Sequence, residues 1–305
     1  MVIMKKHIII LLIISGFAFS AFAQDEEKAQ PVSSPFESPY LIDQQTTVVP
    51  DVRTLEFVIQ HKFGSIDNGI SDIWGIYSSA NVRLALDYVP AKNLQLGIGL
   101  TRNKMYTDLN AKWNILQQTE DNSMPVAVAL YGSIAINGQK SNEFGTGLVI
   151  NKKDLTEAEA PDDIKLGDRF AYFSQLIIGR KITDGLSVQA GASFTHYNMV
   201  GWDYDHDVVS VHVNGRAKIS SQMSIIATYD VPLKIKDISE QTSWDTHAEP
   251  SLALGIEIFT YTHAFQIYVG NASGIISQDN LMYNQSKFNK EGIAIGFTIT
   301  RLWMF

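Results

Sequence analysis

From Arg53 to Phe305 the dominant period of the sequence is two, and no helical pattern runs longer than about a turn. Large apolar residues alternate with small or polar ones, so each segment reads as a strand with two chemically distinct faces. Twelve segments are found: TLEFVIQHKF from Thr54, NVRLALDYV from Asn81, LQLGIGLTR from Leu94, DLNAKWNIL from Asp108, PVAVALYGSIAI from Pro125, RFAYFSQLIIGRK from Arg169, LSVQAGASFTHY from Leu186, VVSVHVNGRAKI from Val208, MSIIATYDV from Met223, SLALGIEIF from Ser251, HAFQIYVG from His263 and IAIGFTITRLWMF from Ile293. In the Val208 segment, Val209, Val211, Val213, Gly215, Ala217 and Ile219 fall on one face and Ser210, His212, Asn214, Arg216 and Lys218 on the other. The Arg169 segment resists sorting, because Phe170, Tyr172, Leu176 and Ile178 share a face with Ser174 and Arg180.

Alternation alone does not separate a soluble sandwich from a membrane barrel. The connections do. The second, fourth, sixth, eighth and tenth are compact, while the odd-numbered ones are long except for NKMYT. Short periplasmic turns, longer extracellular loops and an even strand number describe an outer-membrane barrel. Tyr88, Trp113, Phe170 and Trp303 near strand ends fit its interfacial aromatic girdles. The expected fold is therefore all-β: a transmembrane antiparallel up-and-down β-barrel of about 12 strands.

The amino terminus agrees with export. Lys5 and Lys6 precede an apolar run from Ile8 to Phe17 and a small-x-small Ala21-Phe22-Ala23, so residues 1–23 read as a cleaved signal peptide. Its removal leaves 22 basic against 32 acidic residues, a net charge that speaks against nucleic acid as a partner. With no cysteine, disulfides, thiolate metal sites and a lipid anchor are excluded. Residues 24–51, with Pro31, Pro35, Pro39 and Pro50, read as an extended periplasmic segment, and 52–305 as the barrel. PFESPYLIDQQTTVVP within that segment is unusually apolar for a linker and is expected to dock on the body.

The sequence resembles a family of uncharacterised bacterial outer-membrane β-barrel proteins, a domain of unknown function. The resemblance runs from about Pro35 to the end and is carried by PFESPYLIDQQTTVVP, LEFVIQHKFG, NGISDIWGIYSSANVRLALDY, SQLIIGRK, HAFQIYVGN and FTITRLW. It implies an outer-membrane barrel with outer-membrane lipid as its surroundings, and it leaves the activity open.

With apolar faces toward lipid, the interior gathers Glu56, Lys62, Arg83, Asp87, Lys112, Gln175, Gln189, His212, Arg216, Lys218, Asp230 and Glu257. Such a lumen permits a narrow porin-like channel for small polar solutes or, with the same residues, a sealed structural or adhesive barrel. Long loops or PFESPYLIDQQ supply material for a plug. A lipid hydrolase is the third and weakest reading. His61 and His196 fall on apolar faces, but Ser193 and Thr195 lie on the side opposite His196, so no catalytic residue is assigned and the chain is expected not to be an enzyme. The acidic runs WDYDHD (202–207) and EAEAPDD (157–163) lack the spacing of a calcium loop, so neither a metal site nor a cofactor is assigned. The terminal strand carries Phe297, Trp303 and Phe305 on its apolar stripe, together with Arg301. A terminal aromatic on such a strand resembles the signal by which the outer-membrane assembly machinery takes up its clients.

Overall fold

The structure, a computed structural model, describes residues 29–33, 35–144, 147–151, 156–157, 164–241 and 243–305. The signal-peptide segment lies outside the described residues. Twelve strands form one closed antiparallel barrel: β1 Thr54–Ser65, β2 Asn81–Ala91, β3 Leu94–Thr101, β4 Thr107–Leu116, β5 Ala127–Ile136, β6 Phe170–Lys181, β7 Leu186–Tyr197, β8 Asp207–Lys218, β9 Met223–Leu233, β10 Ser251–Thr260, β11 His263–Gly270 and β12 Ala294–Met304. Each strand pairs with the next in sequence, and β12 pairs with β1 through Trp303 opposite Leu55 and Thr298 opposite Gln60. Closure leaves no open edge, as a sheet in hydrocarbon requires.

Burial is inverted relative to a soluble protein. Leu84, Leu86, Leu96, Ile98, Ile256 and Ile267 are exposed on the outer wall, whereas Glu56, Arg83, Asp87, Lys112, His212 and Glu257 are buried inside. In water such an apolar belt would drive aggregation; in a bilayer it is the lipid-facing surface. The protein is thus an outer-membrane β-barrel, and the end carrying the short turns and both ends of the barrel chain is periplasmic.

The β6 strand explains why its sequence resists sorting. Ala171, Phe173, Gln175, Ile177 and Gly179 face inward, so Ser174 and Arg180 do lie on the lipid side. The inward apolar pair has a purpose: Phe173 and Ile177 pack with Tyr131 and Leu281, a residue of the last extracellular loop. On β12, Arg301 points outward with its guanidinium 4.8 Å from the Trp303 ring, so the charge rests on an aromatic face at the barrel rim. Phe305 is exposed and its amide donates to Arg53 O (3.3 Å).

Candidate functional site

The lumen is built from inward positions of the strands, and its charges are organised by register. Arg83 on β2 makes a bidentate contact with Asp108 on β4, Nε to Oδ2 at 2.9 Å and Nη2 to Oδ1 at 2.6 Å, and donates through Nη1 to Gln60 Oε1 (2.9 Å). The pair spans the intervening strand β3 because Gly99 faces inward there. A Cβ on Gly99 would collide with the Asp108 carboxylate and the Arg83 guanidinium. On the same side Glu56 Oε2 accepts from Gln95 Nε2 (2.8 Å), and on the far side Arg216 Nε donates to Glu257 Oε2 (2.6 Å). His212 sits between Asp230 Oδ1 (2.7 Å, at Nδ1) and Ser193 Oγ (2.7 Å, at Nε2).

Eleven of the twelve lumen candidates, Glu56, Lys62, Arg83, Asp87, Lys112, Gln175, Gln189, His212, Arg216, Asp230 and Glu257, are buried inside the barrel. Lys218 has the right parity but sits at the periplasmic end of β8, with its side chain 36% exposed. Asp108, Gln95 and Ser193 also line the lumen, though they stand outside the twelve candidates. Asp108 shares parity with Lys112, and that is the available signal.

Residues 36–48, set apart by sequence as part of a periplasmic segment, run inside the barrel. The chain is tied to the periplasmic rim where Val32 N donates to Gln118 O (2.9 Å). It then ascends the lumen, turns at Ile42 and Asp43 and descends, with Tyr40 paired to Gln45 and Leu41 to Gln44. The turn holds Ile42 at φ 59°, an unfavourable conformation for a β-branched residue. The wall clamps it there: Ile42 N donates to Gln266 Oε1 (2.6 Å), and Thr298 Oγ1 donates to Ile42 O (3.1 Å).

Phe36, Leu41 and Ile42 pack against Ile226, Ala253 and Tyr268, and further anchors are polar groups of the wall. Gln266 Nε2 donates to Tyr40 O (2.9 Å), Gln189 Nε2 to Gln45 O (2.7 Å) and Asn114 Nδ2 to Thr47 O (2.7 Å). Lys112 Nζ donates to Pro39 O (3.2 Å) and Gln45 Oε1 (3.0 Å), while Tyr40 Oη donates to Asp87 Oδ2 (2.7 Å). Gln44 Nε2 reaches Asp230 Oδ2 (2.9 Å). The hairpin's acids meet cations: Asp43 pairs with Lys62, and Glu37 lies 3.2 Å from both Arg216 Nη2 and Lys218 Nζ.

A second body enters from the other end. The loop between β11 and β12 carries a short helix, α1 Ser277–Tyr283, whose Ser277 to Met282 are buried. Ile276 and Met282 join Tyr106, Ala135, Ala171, Tyr197, Val200 and Val208 in an apolar cluster, and Tyr283 packs edge-on against Tyr197 at 5.2 Å. Hairpin and loop meet at Lys62, which binds Asp43 from below and donates to Ala272 O (2.9 Å) and Gly274 O (2.5 Å) above. Two voids of about 10 Å³ lie at this meeting, each no larger than one water. A cavity of about 560 Å³ opens among the extracellular loops, lined by Asn81, Arg102, Lys104, Glu143, Ser273 and Glu291 among others.

The residues weighed for other chemistry go different ways. His61 stacks on Phe297 at 4.9 Å on the outer wall. His196 bonds Asp207 Oδ1 (2.6 Å) and Asn198 Oδ1 (3.1 Å), with no serine among these partners. A serine, histidine and aspartate do come together, but in the lumen as Ser193, His212 and Asp230, and Ser193 lines none of the cavities just described. In WDYDHD the acids turn apart: Asp205 is engaged by Ser239 and by Gln241 N (2.6 Å), and Asp207 by His196. EAEAPDD beyond Glu157 lies outside the described residues.

The profile of a family described as a membrane bound beta barrel domain (DUF5777) matches residues 36–303. No curated protein sequence matches the chain. Among solved structures it is similar to the KdgM porin, at 8% identity and TM-score 0.43, over 83% of this chain and 99% of that one. It is similar to the NanC porin at 9% identity and TM-score 0.43, over 82% and 99%. An outer-membrane channel from Pseudomonas putida F1 aligns at 12% identity and TM-score 0.48, over 84% and 97%.

Proposed function

The chain belongs to this family of membrane-bound β-barrel domains, and we propose that in the bacterial outer membrane it is a channel for small polar solutes, held closed by its own amino-terminal hairpin. The observation that carries the reading is the nature of the hairpin's attachment. A barrel sealed by its own wall would fill its lumen with side chains of the strands themselves, polar ones included. Here much of the filling is a separate piece of chain, attached through wall amides, hydroxyls and charges along its length and by apolar contacts of Phe36, Leu41 and Ile42. Each of the polar bonds contributes only about 0.5–1.5 kcal/mol net, because water replaces it when the partners separate. Removal of the hairpin therefore opens polar wall to water from the periplasm up to the α1 loop, and conduction runs past that loop.

The reading assigns no enzymatic step. In the closed state the Ser193–His212–Asp230 string is enclosed, with Gln44 of the hairpin on its carboxylate, and it serves as a fixed polar contact of the wall. A sealed structural or adhesive barrel is the second reading, favoured by the closure of the lumen from both ends. Planar-bilayer conductance separates the two. The full-length barrel is expected to be silent or to open briefly, and a variant lacking residues 31–49 to conduct steadily. Silence of both, with each protein shown to be inserted, would leave the sealed barrel. In the same reading Phe297, Trp303 and Phe305 present the strand that the assembly machinery takes up. Normal insertion after removal of Phe305 would contradict this.

A further inference from the structure

We propose that the hairpin shuts the channel as a built-in carboxylate ligand, with Glu37 and Asp43 occupying the cationic stations that receive a carboxylate-bearing solute. The inference rests on the channel reading and names its solute class.

The lumen's cations are satisfied partly by the wall and partly by the hairpin. Arg83 is taken up by the wall itself, through Asp108 and Gln60. Arg216 is half taken up, its Nε by Glu257 and its Nη2 by Glu37 of the hairpin. Lys218 and Lys62 differ, because the carboxylates paired with them come from the hairpin, Glu37 for the first and Asp43 for the second. Lys112 also spends its ammonium on hairpin oxygens, Pro39 O and Gln45 Oε1. Withdrawal of the hairpin thus frees donors on Lys62, Lys112, Lys218 and one edge of Arg216, spread along the lumen from its extracellular half to its periplasmic mouth.

The geometry at the mouth is that of carboxylate recognition. One oxygen of Glu37 lies 3.2 Å from a guanidinium nitrogen and 3.2 Å from an ammonium nitrogen. An Arg–Lys fork on one carboxylate is a charge-assisted arrangement that a solute carboxylate can reproduce. Deeper in, Asp43 lies with Lys62 in a pair whose side chains are 8% and 5% exposed. A buried cation that loses its counter-charge is disfavoured; Lys62 keeps only the carbonyls of Ala272 and Gly274 when Asp43 leaves, so an entering carboxylate restores the charge pairing that withdrawal removes. A neutral polyol offers the same hydroxyls and no such compensation.

The test uses the full chain in proteoliposomes, comparing entry of gluconate with entry of sorbitol, a polyol of similar size. In a Glu37→Gln, Asp43→Asn variant the hairpin loses its hold on these stations. Gluconate is expected to enter several-fold faster than sorbitol, and further Lys62→Gln and Lys218→Gln changes are expected to bring gluconate down to the sorbitol rate. As a second measure, a peptide of residues 31–50 added to the barrel lacking 31–49 is expected to block its current, and the same peptide bearing the Glu37→Gln and Asp43→Asn changes is expected to fail. Equal entry of the two solutes, or equal block by the two peptides, overturns the carboxylate inference while leaving a channel. Absence of any current or flux in either variant, once folding is established by heat-modifiable migration, removes the channel reading beneath it.

Discussion

Two pieces of chain fill this barrel, and they hold their places by different mixtures of the same forces. The hairpin of residues 36–48 packs Phe36, Leu41 and Ile42 against Ile226, Ala253 and Tyr268, and over its length it is also gripped from the periplasmic side by amides, hydroxyls and charges of the wall. The loop bearing α1 is set from the extracellular side by packing: Ile276, Leu281, Met282 and Tyr283 against Tyr106, Phe173, Ile177 and Tyr197. Polar bonds are exchangeable for bonds to water, whereas buried apolar area withdrawn into water costs about 25 cal/mol per Å². On the channel reading the hairpin, with the larger polar share in its attachment, is the piece that moves, and the loop is the piece that stays. The difference predicts that weakening each has a different readout: altered gating for the hairpin, exposure of a loop for the cap.

The largest effect is expected in the cap. Leu281 is buried to 1% among Ala129, Tyr131, Phe173 and Ile177. Leu281→Ala should weaken loop docking by about 2–5 kcal/mol, the range for a leucine lost from a packed site. In intact cells the loop of residues 271–293 should then become protease-sensitive while conductance stays at the wild-type level. A conductance gain matching that of the hairpin variants would break the comparison.

A smaller effect, of opposite kind, is expected from Gln266→Ala. This one amide accepts from Ile42 N and donates to Tyr40 O and Glu257 Oε1. Its loss leaves buried hairpin groups unpaired, at about 1–3 kcal/mol. More frequent openings are expected, with the loop as protease-resistant as before. Lower still stands Lys104→Met. Lys104 joins Asp279 Oδ1 at 2.6 Å and lies 3.7 Å above the Tyr283 ring, but its side chain is 27% exposed. About 0.5–1 kcal/mol is expected, visible as a modest rise in loop proteolysis.

What the sequence shows of this arrangement follows from where the information sits. The twelve strands and the rhythm of their connections are local patterns, and period two exposes them. The β6 strand defeats the pattern because its inward face is apolar at Phe173 and Ile177, to receive Leu281 from a segment about a hundred residues later. Parity places Ser193, His212 and Asp230 on the lumen side, but only the register, with Gly191 opposite His212 and His212 opposite Asp230, brings them into one string. The hairpin is least legible. PFESPYLIDQQTTVVP stands out as too apolar for a linker, yet the partners that fold it, from Gln60 to Thr298, lie far along the chain. Its turn also places an isoleucine at positive φ, against local preference.

The smallest predicted effect tests whether the cap, a largely apolar assembly, has a polar weak point. His247 lies in the connection between β9 and β10, which is joined to the cap through Glu249 N to Asn284 O (2.7 Å) and Gln285 Nε2 to Thr246 O (2.9 Å). Its ring stands edge-on to Trp244, and Nε2 is 3.2 Å from Pro232 O. Burial holds the imidazole below its ordinary value, Lys234 adds to that, and the Pro232 carbonyl, Asp205 and Glu249 oppose it. The docked loop therefore binds a proton less readily than the free loop, whose histidine titrates near about 6.5. Between the two values the free loop carries more protons, so docking is fully favoured above the free value and weakens as pH falls through the lowered one. Proteolysis of residues 234–250 in intact cells should rise modestly on going from neutral to mildly acidic buffer, and His247→Gln should flatten that dependence. A profile already flat in the wild type would show that the loop's attachment to the cap, and not its histidine, sets its stability.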